Sequence, residues 1–251
     1  MVSDLPLIGL TNERRRLAEA LRKRESLLML GPRGCGKTKI IQSVISDFPS
    51  RSEVIYVEYS STLHELLITL TRALLKSGHQ DLRRRAGAGP DLEAWLSHQT
   101  SVHLKGILGN ALEADPRTII LDGVGGSSHP IYRFIQQLYF TRGMAVFAAA
   151  HDTFALGPLG RLFWDPRRAL QFRPLSECDA QQLFEVAANR AGLRSREVNL
   201  EEFREKVLDA AGGNPGQIVE MCRLAANPQY VTGRYIKFAP LRIDALIKFM
   251  A

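Results

Sequence analysis

Residues 31–38 read Gly-Pro-Arg-Gly-Cys-Gly-Lys-Thr. The spacing is G-x-x-x-x-G-K-[ST], and these residue types suit the holding of phosphate groups. Glycines admit backbone angles and close approaches that side chains forbid. Backbone N–H groups from Gly34 to Thr38 are expected to cradle a β-phosphate at a helix N-terminus. Lys37 is expected to reach the β- and γ-phosphates, and the Thr38 hydroxyl to ligate Mg²⁺. Cys35 reads as a small filler within the loop, with redox control as the alternative. A second group of residues follows at 117–124, R-T-I-I-L-D-G-V. Asp122 ends an apolar run, and a carboxylate in that position holds Mg²⁺ through water. An acid that orients the attacking water is normally expected directly after it, or a few residues on. Here Gly123, Gly125 and Gly126 follow, and none can polarise water. His129 is close enough in sequence to take that part; the alternative is an exposed loop histidine. A D-x-x-G run also occurs in GTP-hydrolysing proteins, but those need an N/T-K-x-D motif to read guanine, and the sequence has none. ATP with Mg²⁺ is therefore the expected ligand pair.

Both groups need a scaffold. Residues 26–30, S-L-L-M-L, are a short apolar run ending at glycine, which reads as a buried parallel strand. A helix is predicted from Lys37 to Asp47, which puts strand, loop and helix in the order that the phosphate motif requires. Residues 53–59 are β-branched and aromatic, so a strand. This strand pattern intervenes between the two chemistry-bearing strands and fits the class in which another strand separates them. Leu63, Leu66, Leu67, Leu70 and Leu74 recur at helical spacing. Residues 78–90 read as an exposed loop and 91–114 as a helical stretch. Further strands are predicted at 118–122, 144–150 and 169–172, with a helix at 131–141. Near the N-terminus, Thr11 or Asn12 reads as a helix cap before the stripe Leu17, Ala20, Leu21.

Strands alternating with helices give βαβ units and a parallel sheet. After residues 173–176 the pattern turns helical only, at 177–191, 200–211 and 215–226. The expected fold class is α/β: a parallel five-stranded sheet with flanking helices, followed by a small all-helical domain. The expected boundaries are 1–175 for the nucleotide-binding domain, 176–226 for the helical lid and 227–251 for a C-terminal tail.

Composition narrows the function classes. With 45% hydrophobic and 24% charged residues over 251, the chain can bury a core and is not disordered. No apolar run approaches the roughly 18 residues of a membrane span, and the start M-V-S-D-L-P-L lacks the pattern of a signal peptide. Three scattered cysteines argue against a disulfide framework or a zinc site, so a reducing, cytoplasmic setting is expected. The net charge is +7; residues 1–50 hold nine Lys/Arg against five Asp/Glu, a local excess of four. A basic surface suits an acidic partner such as DNA; a soluble protein with extra arginines is the alternative. Of the basic runs, Arg14–Arg16 and Arg22–Arg24 read as a solvated helix face with Glu13, Glu19 and Glu25 as partners. Arg83–Arg85 stand in a stretch with Asp81 as the nearest acid, where a phosphate-backbone contact is plausible.

On these residues the chain resembles the P-loop ATPases of the AAA+/STAND group, the NACHT- and NB-ARC-like proteins among them. L-I-G-L-T-N-E-R at 7–14 looks like the G-R-x-x-E segment that shapes the adenine pocket, with Leu10 where arginine is usual. Residues 119–126 look like the D-G-h-D-E box with both acids replaced by glycine. F-R-P-L-S at 172–176 and A-G-G-N-P-G-Q-I at 211–218 resemble the lid of that group. The resemblance spans about residues 5–226. It implies nucleotide contacts from Ile8, from Gly31, Pro32, Arg33, Gly34, Cys35, Gly36, Lys37, Thr38 and Lys39, and from Pro215. Lys37 and Asp122 take catalytic parts, with Thr38 and Asp122 as metal ligands. The residue that senses the γ-phosphate falls at His151 or Asp152, with a strand-ending cap as the alternative. An arginine acting on a neighbouring subunit falls among Arg161, Arg167 and Arg168. The function implied is a nucleotide-dependent switch or oligomeric motor with slow hydrolysis, partnered by copies of itself or by another protein. A DNA-associated loader and a module that holds ATP structurally are the alternatives.

Overall fold

The computed structural model describes residues 5–86 and 92–250. The chain forms two compact units: one holds Arg15–Gly31 and Ile41–Gln171, the other the residues up to Arg14, Pro32–Ile40 and those from Phe172 on. Helices α1 (Thr11–Lys23) and α2 (Lys37–Asp47) run from one unit into the other.

The first unit is built on strands β1 (Leu27–Leu30), β2 (Val54–Glu58), β3 (Thr118–Val124), β4 (Ala145–Ala150) and β5 (Ala169–Gln171). They form one parallel five-stranded sheet in the order β2-β3-β4-β1-β5. The strand between β1 and β3 is thus β4, whereas segment 53–59 supplies an edge strand. The side chains explain this. All six residues of β4, A-V-F-A-A-A, are buried, as a parallel strand covered on both faces demands. In β2, Tyr56 is half-buried and Glu58 exposed, which an edge tolerates.

Helices α3 (Leu63–Lys76), α4 (Gln80–Ala86), α5 (Leu92–Ser97), α6 (Ser101–Ala114) and α7 (His129–Phe140) flank this sheet. Thr62 caps α3 by accepting from Glu65 N, and Leu66, Leu67, Leu70 and Leu74 are fully buried against the sheet. The stretch from 78, read as an exposed loop, holds α4. His79 is buried, its Nδ1 accepts from Leu82 N at 3.2 Å, and Leu82 is fully buried. One leucine among arginines makes no periodic pattern, so this helix carries no sequence signal. Residues 87–90 of that stretch, and residue 91 of the next, lie outside the described residues. The helical stretch 91–114 is two helices, separated where Thr100 caps α6 by accepting from His103 N.

In the second unit, α8 (Glu177–Arg190), α9 (Leu200–Ala211) and α10 (Pro215–Ala225) fall where the sequence pattern puts them. Each has its cap: Ser176 accepts from Asp179 N, Asn199 from Glu202 N, and Asn214 from Gly216 N and Gln217 N. The segment read as a tail carries a hairpin, β6 (Val231–Thr232) with β7 (Tyr235–Ile236), and α11 (Phe238–Met250). Leu241 and Ala245, one helical turn apart, are its buried stripe. One ion pair joins α11 to α10: Glu220, 3% exposed, accepts from Lys248 Nζ at 2.8 Å, and within α10 it also accepts from Arg223 Nη2 at 2.6 Å.

Burial pushes the Glu220 carboxyl up, but the bonds from Arg223 and Lys248 outweigh it, and the net pKa lies below the ordinary carboxylate value. A group lowered in the folded state stabilises above its ordinary pKa, and that contribution is lost as pH falls through the lowered one. Glu220→Gln is expected to cost ~1–3 kcal/mol at neutral pH. Urea unfolding of both proteins at several pH values checks it: the difference should shrink as pH drops below about 4.5.

Candidate functional site

In the second unit, the loop that starts at Pro32 is shaped by two glycines. Gly34 and Gly36 have φ of 83° and 99°, a region that side chains disfavour, and α2 begins directly after them at Lys37. Such a backbone turns N–H groups inward into an anion-binding concavity at a helix N-terminus. The Lys37 ammonium lies over the loop, 3.1 Å from Pro32 O and 3.5 Å from Cys35 Sγ. Cys35 is buried, and burial pushes its thiol up, which fits a filler rather than a reactive thiolate. Thr38 is exposed.

Three segments of the same unit close around this loop. A Cβ on Gly36 would fall 2.8 Å from Leu10 Cδ1, so the leucine that stands in place of arginine packs on the loop. Gly216 N donates to Gly34 O at 2.9 Å, and Asn214 Nδ2 donates to Arg33 O at 2.9 Å. The N-terminus of α10 is therefore hydrogen-bonded to the loop backbone, with Pro215 at its first turn. The Phe249 ring lies on Gly34, where a Cβ would be 2.7 Å from Cε1. Lys39 donates to Leu5 O. Ile8 is half-buried beside Gly9, whose φ of 71° and contact with Asp179 fix the turn there.

The first unit presents the C-terminal edge of its sheet. Leu30 and Val124 both pair with Ala150, so β1, β3 and β4 end level, next to Gly31, Asp122 and His151. Asp122 is 6% exposed, and Tyr56 donates to its Oδ2 at 2.9 Å. Burial, then the Asp122 charge and hydrogen bond, then the Glu58 charge push the Tyr56 hydroxyl well above its ordinary value, so it stays a donor. Strand β3 runs on through Gly123, with an irregular register to β4 between Leu121 and Val124. Gly123 has φ of 77°. The following loop is tied to the one after β4: Gly126 N donates to Ala155 O at 2.7 Å, and Ser127 Oγ to Leu156 O at 2.5 Å.

Sequence-assigned residues thus gather as two sets. Ile8, residues 32–39 and Pro215 lie in one unit; Gly31, Asp122, His129 and His151 lie in the other. His129 is the first residue of α7, not a loop residue, and its ring packs 5.7 Å from Tyr132. His151 is exposed, with Nε2 3.2 Å from Asp152, and Asp152 caps its own turn by accepting from Ala155 N at 2.8 Å. Arg161, Arg167 and Arg168 are exposed; Arg167 pairs with Asp165, and Arg168 donates to Tyr139 OH. In the basic runs, Lys23 pairs with Glu19 and Arg24 with Glu53. Sequence reasoning missed Asn214, Gly216, Phe249 and Tyr56. Asn before Pro is a readable cap signal, and the spacing of Leu241, Ala245 and Phe249 is helical. Tyr56 carries no such signal, because its contact with Asp122 depends on which strand β2 pairs with.

No family model matches the chain, and no curated protein matches it in sequence. Solved structures do match. A Walker-type ATPase of Pyrococcus abyssi is 15% identical with a TM-score of 0.57, covering 100% of this chain and 75% of its own. The Orc1 protein of Aeropyrum pernix, solved in complex with DNA, is 17% identical with a TM-score of 0.60, covering 97% and 66%. Cdc6p of Pyrobaculum aerophilum is 12% identical with a TM-score of 0.58, covering 89% and 62%. The chain thus spans 62–75% of the length of these proteins. At such identities the likeness is one of fold: the chain has the P-loop NTPase fold, a parallel five-stranded sheet with flanking helices and a helical C-terminal part.

The close approach at the loop can be tested. A Cβ on Gly216 would lie 2.7 Å from Gly34 Cα and 2.8 Å from Gly34 O, both backbone atoms. Gly216→Ala is expected to destabilise the protein by ~1–3 kcal/mol through overpacking, read as a lower urea midpoint with an unchanged slope.

Proposed function

We propose that the protein binds MgATP at residues 31–39 and hydrolyses it slowly, acting as a nucleotide-dependent switch. One observation carries this reading: the glycine-built loop, with φ of 83° and 99° at Gly34 and Gly36, opens directly into α2 at Lys37. That backbone suits the oxygens of an anion such as a phosphate group. The donors Thr38 Oγ and the Asp122 carboxylate are hard oxygens of the kind Mg²⁺ takes, and Tyr56 orients the latter. When bound, Mg²⁺ offsets charge on the phosphates. Lys37 does the same from the protein side, and Ile8 and Pro215 border the base. Because α10 is bonded to the loop backbone through Gly216 and Asn214, phosphates entering the loop change what those groups touch. The angle of the lid then reports the nucleotide state to a second copy or another protein. Slow turnover fits the glycines after Asp122.

A second reading, a DNA-associated ATPase, is favoured by one surface. Arg161, Arg167 and Arg168 are exposed around Trp164, itself 80% exposed, and arginine with an open aromatic suits a nucleic-acid strand. His151 and one of those arginines remain the proposed γ-phosphate contacts, the arginine acting across a subunit boundary. Among the described residues no helix is long and apolar enough to cross a membrane. The three cysteines are free, which suits a reducing cytoplasm.

Lys37→Ala deletes a charge-assisted phosphate contact worth ~1.5–3 kcal/mol, so ATP affinity should fall about tenfold or more in calorimetry. Binding equal to that of the parent would refute the site. Competition with GTP should favour ATP, since no guanine-reading motif is present. Stimulation of turnover by DNA would select the second reading.

A further inference from the structure

We infer that an exposed surface of aromatic rings and arginines between α7 and β5 is a binding site for single-stranded DNA. It rests on the second reading above, which it deepens, and it is independent of the phosphate loop. Every residue named for it lies in the first unit. Phe140, at the end of α7, and Trp164 are 72% and 80% exposed, so each offers a ring to solvent. They stand on a common floor. The Tyr139 ring meets Phe140 at 5.4 Å and Phe163 at 5.6 Å between centroids, both edge-on. Phe163 is buried, and Trp164 follows it directly. The segment before Trp164, Gly157–Phe163, is 3₁₀-helical, and in such a helix residues three apart eclipse. Trp164 continues it with right-handed helical angles, so Arg161 and Trp164 share one side. Arg168 Nη1 donates to Tyr139 OH at 3.1 Å, which brings a second guanidinium to the same floor.

Charge and shape select the occupant. Residues 125–172 hold five arginines against two aspartates, with no lysine or glutamate. Of the two acids, Asp165 is taken up by Arg167 and Asp152 lies against His151. A surface of that sign attracts a polyanion and repels a second copy of this chain, whose net charge is also +7. Duplex DNA keeps its base faces inside the stack. A single strand turns them out, and each unpaired base can lie on an open ring. Arginine adds a planar cation that pairs with phosphate and stacks on bases. The strand therefore lays bases on Trp164 and Phe140 and sets its phosphates at Arg161 and Arg168. Arg133, two helical turns before Phe140 and exposed on the same face of α7, extends the basic track by about 10 Å.

The test uses the full chain and a labelled oligothymidine of about 15 nucleotides, read by fluorescence anisotropy. A uridine RNA and a DNA duplex of the same length are the other arms. The single DNA strand should bind about tenfold or more tighter than the duplex. Trp164→Ala and Phe140→Ala should each weaken binding about tenfold or more. Binding should quench the tryptophan emission of the wild type. Trp164→Phe should lose that quenching while it keeps the affinity within about threefold, since either ring can stack on a base. Arg161→Ala and Arg168→Ala should each flatten the slope of log affinity against log salt by ~0.7, the share of one phosphate on a single strand. All four side chains are exposed, so unfolding midpoints should not move. Binding by Trp164→Ala within about twofold of wild type overturns the site and leaves the DNA reading standing. So does a duplex or an RNA bound more tightly than the DNA strand. A wild-type dimer in light scattering that Trp164→Ala dissolves gives the surface to a second copy and overturns it as well. A wild type that binds no DNA of either form refutes the second reading itself, whether or not it binds ATP.

Discussion

Everything at the loop follows from two backbone angles. Gly34 and Gly36 occupy φ values that only glycine takes without strain, and the absence of Cβ atoms there is used twice. It permits the inward turn of N–H groups, and it admits close neighbours. Leu10 sits on Gly36, while Asn214 and the Phe249 ring sit on Gly34. Any side chain at Gly34 would collide with the Phe249 ring and Asn214 Oδ1 as well as strain the backbone turn. In the proposed reading the same atoms serve phosphate binding and the anchoring of α10. The switch proposed needs one element that two states can bias, and the hydrogen bonds from Gly216 and Asn214 to the loop are the candidate for it.

The sheet sets the other half of the chemistry through register. A parallel ladder fixes which residues end level, and a shift of one residue would turn each side chain to the other face. Glu58, Asp122 and Tyr56 share a face because β2 pairs with β3 in the observed register. The polar face that this leaves on β2 is acceptable because β2 is an edge strand, whereas β4, all small and apolar, fills the middle.

Much of this was legible beforehand for definable reasons. Buried parallel strands and capped amphipathic helices are written locally, so β1, β4, α8, α9 and α10 are readable from periodicity and cap residues. The phosphate loop is a contiguous motif and needs no tertiary information. What was not legible is non-local. Nothing in residues 53–59 tells which strand they join, so the pattern alone reads as a divider between β1 and β3. Helix α4 depends on one buried leucine and a histidine cap, too little for a periodic signal. Phe249 lies in a segment whose helical spacing is readable, but its seat on Gly34 depends on how α11 packs.

The most direct measurement is a crystal structure with Mg²⁺, ADP and aluminium fluoride, which imitates phosphate in transfer. The account requires the fluoride group in the loop 31–38, with Lys37 against it and the metal held by Thr38 and, through water, Asp122. Nucleotide density away from the loop, or phosphates that Lys37 does not touch, would contradict it.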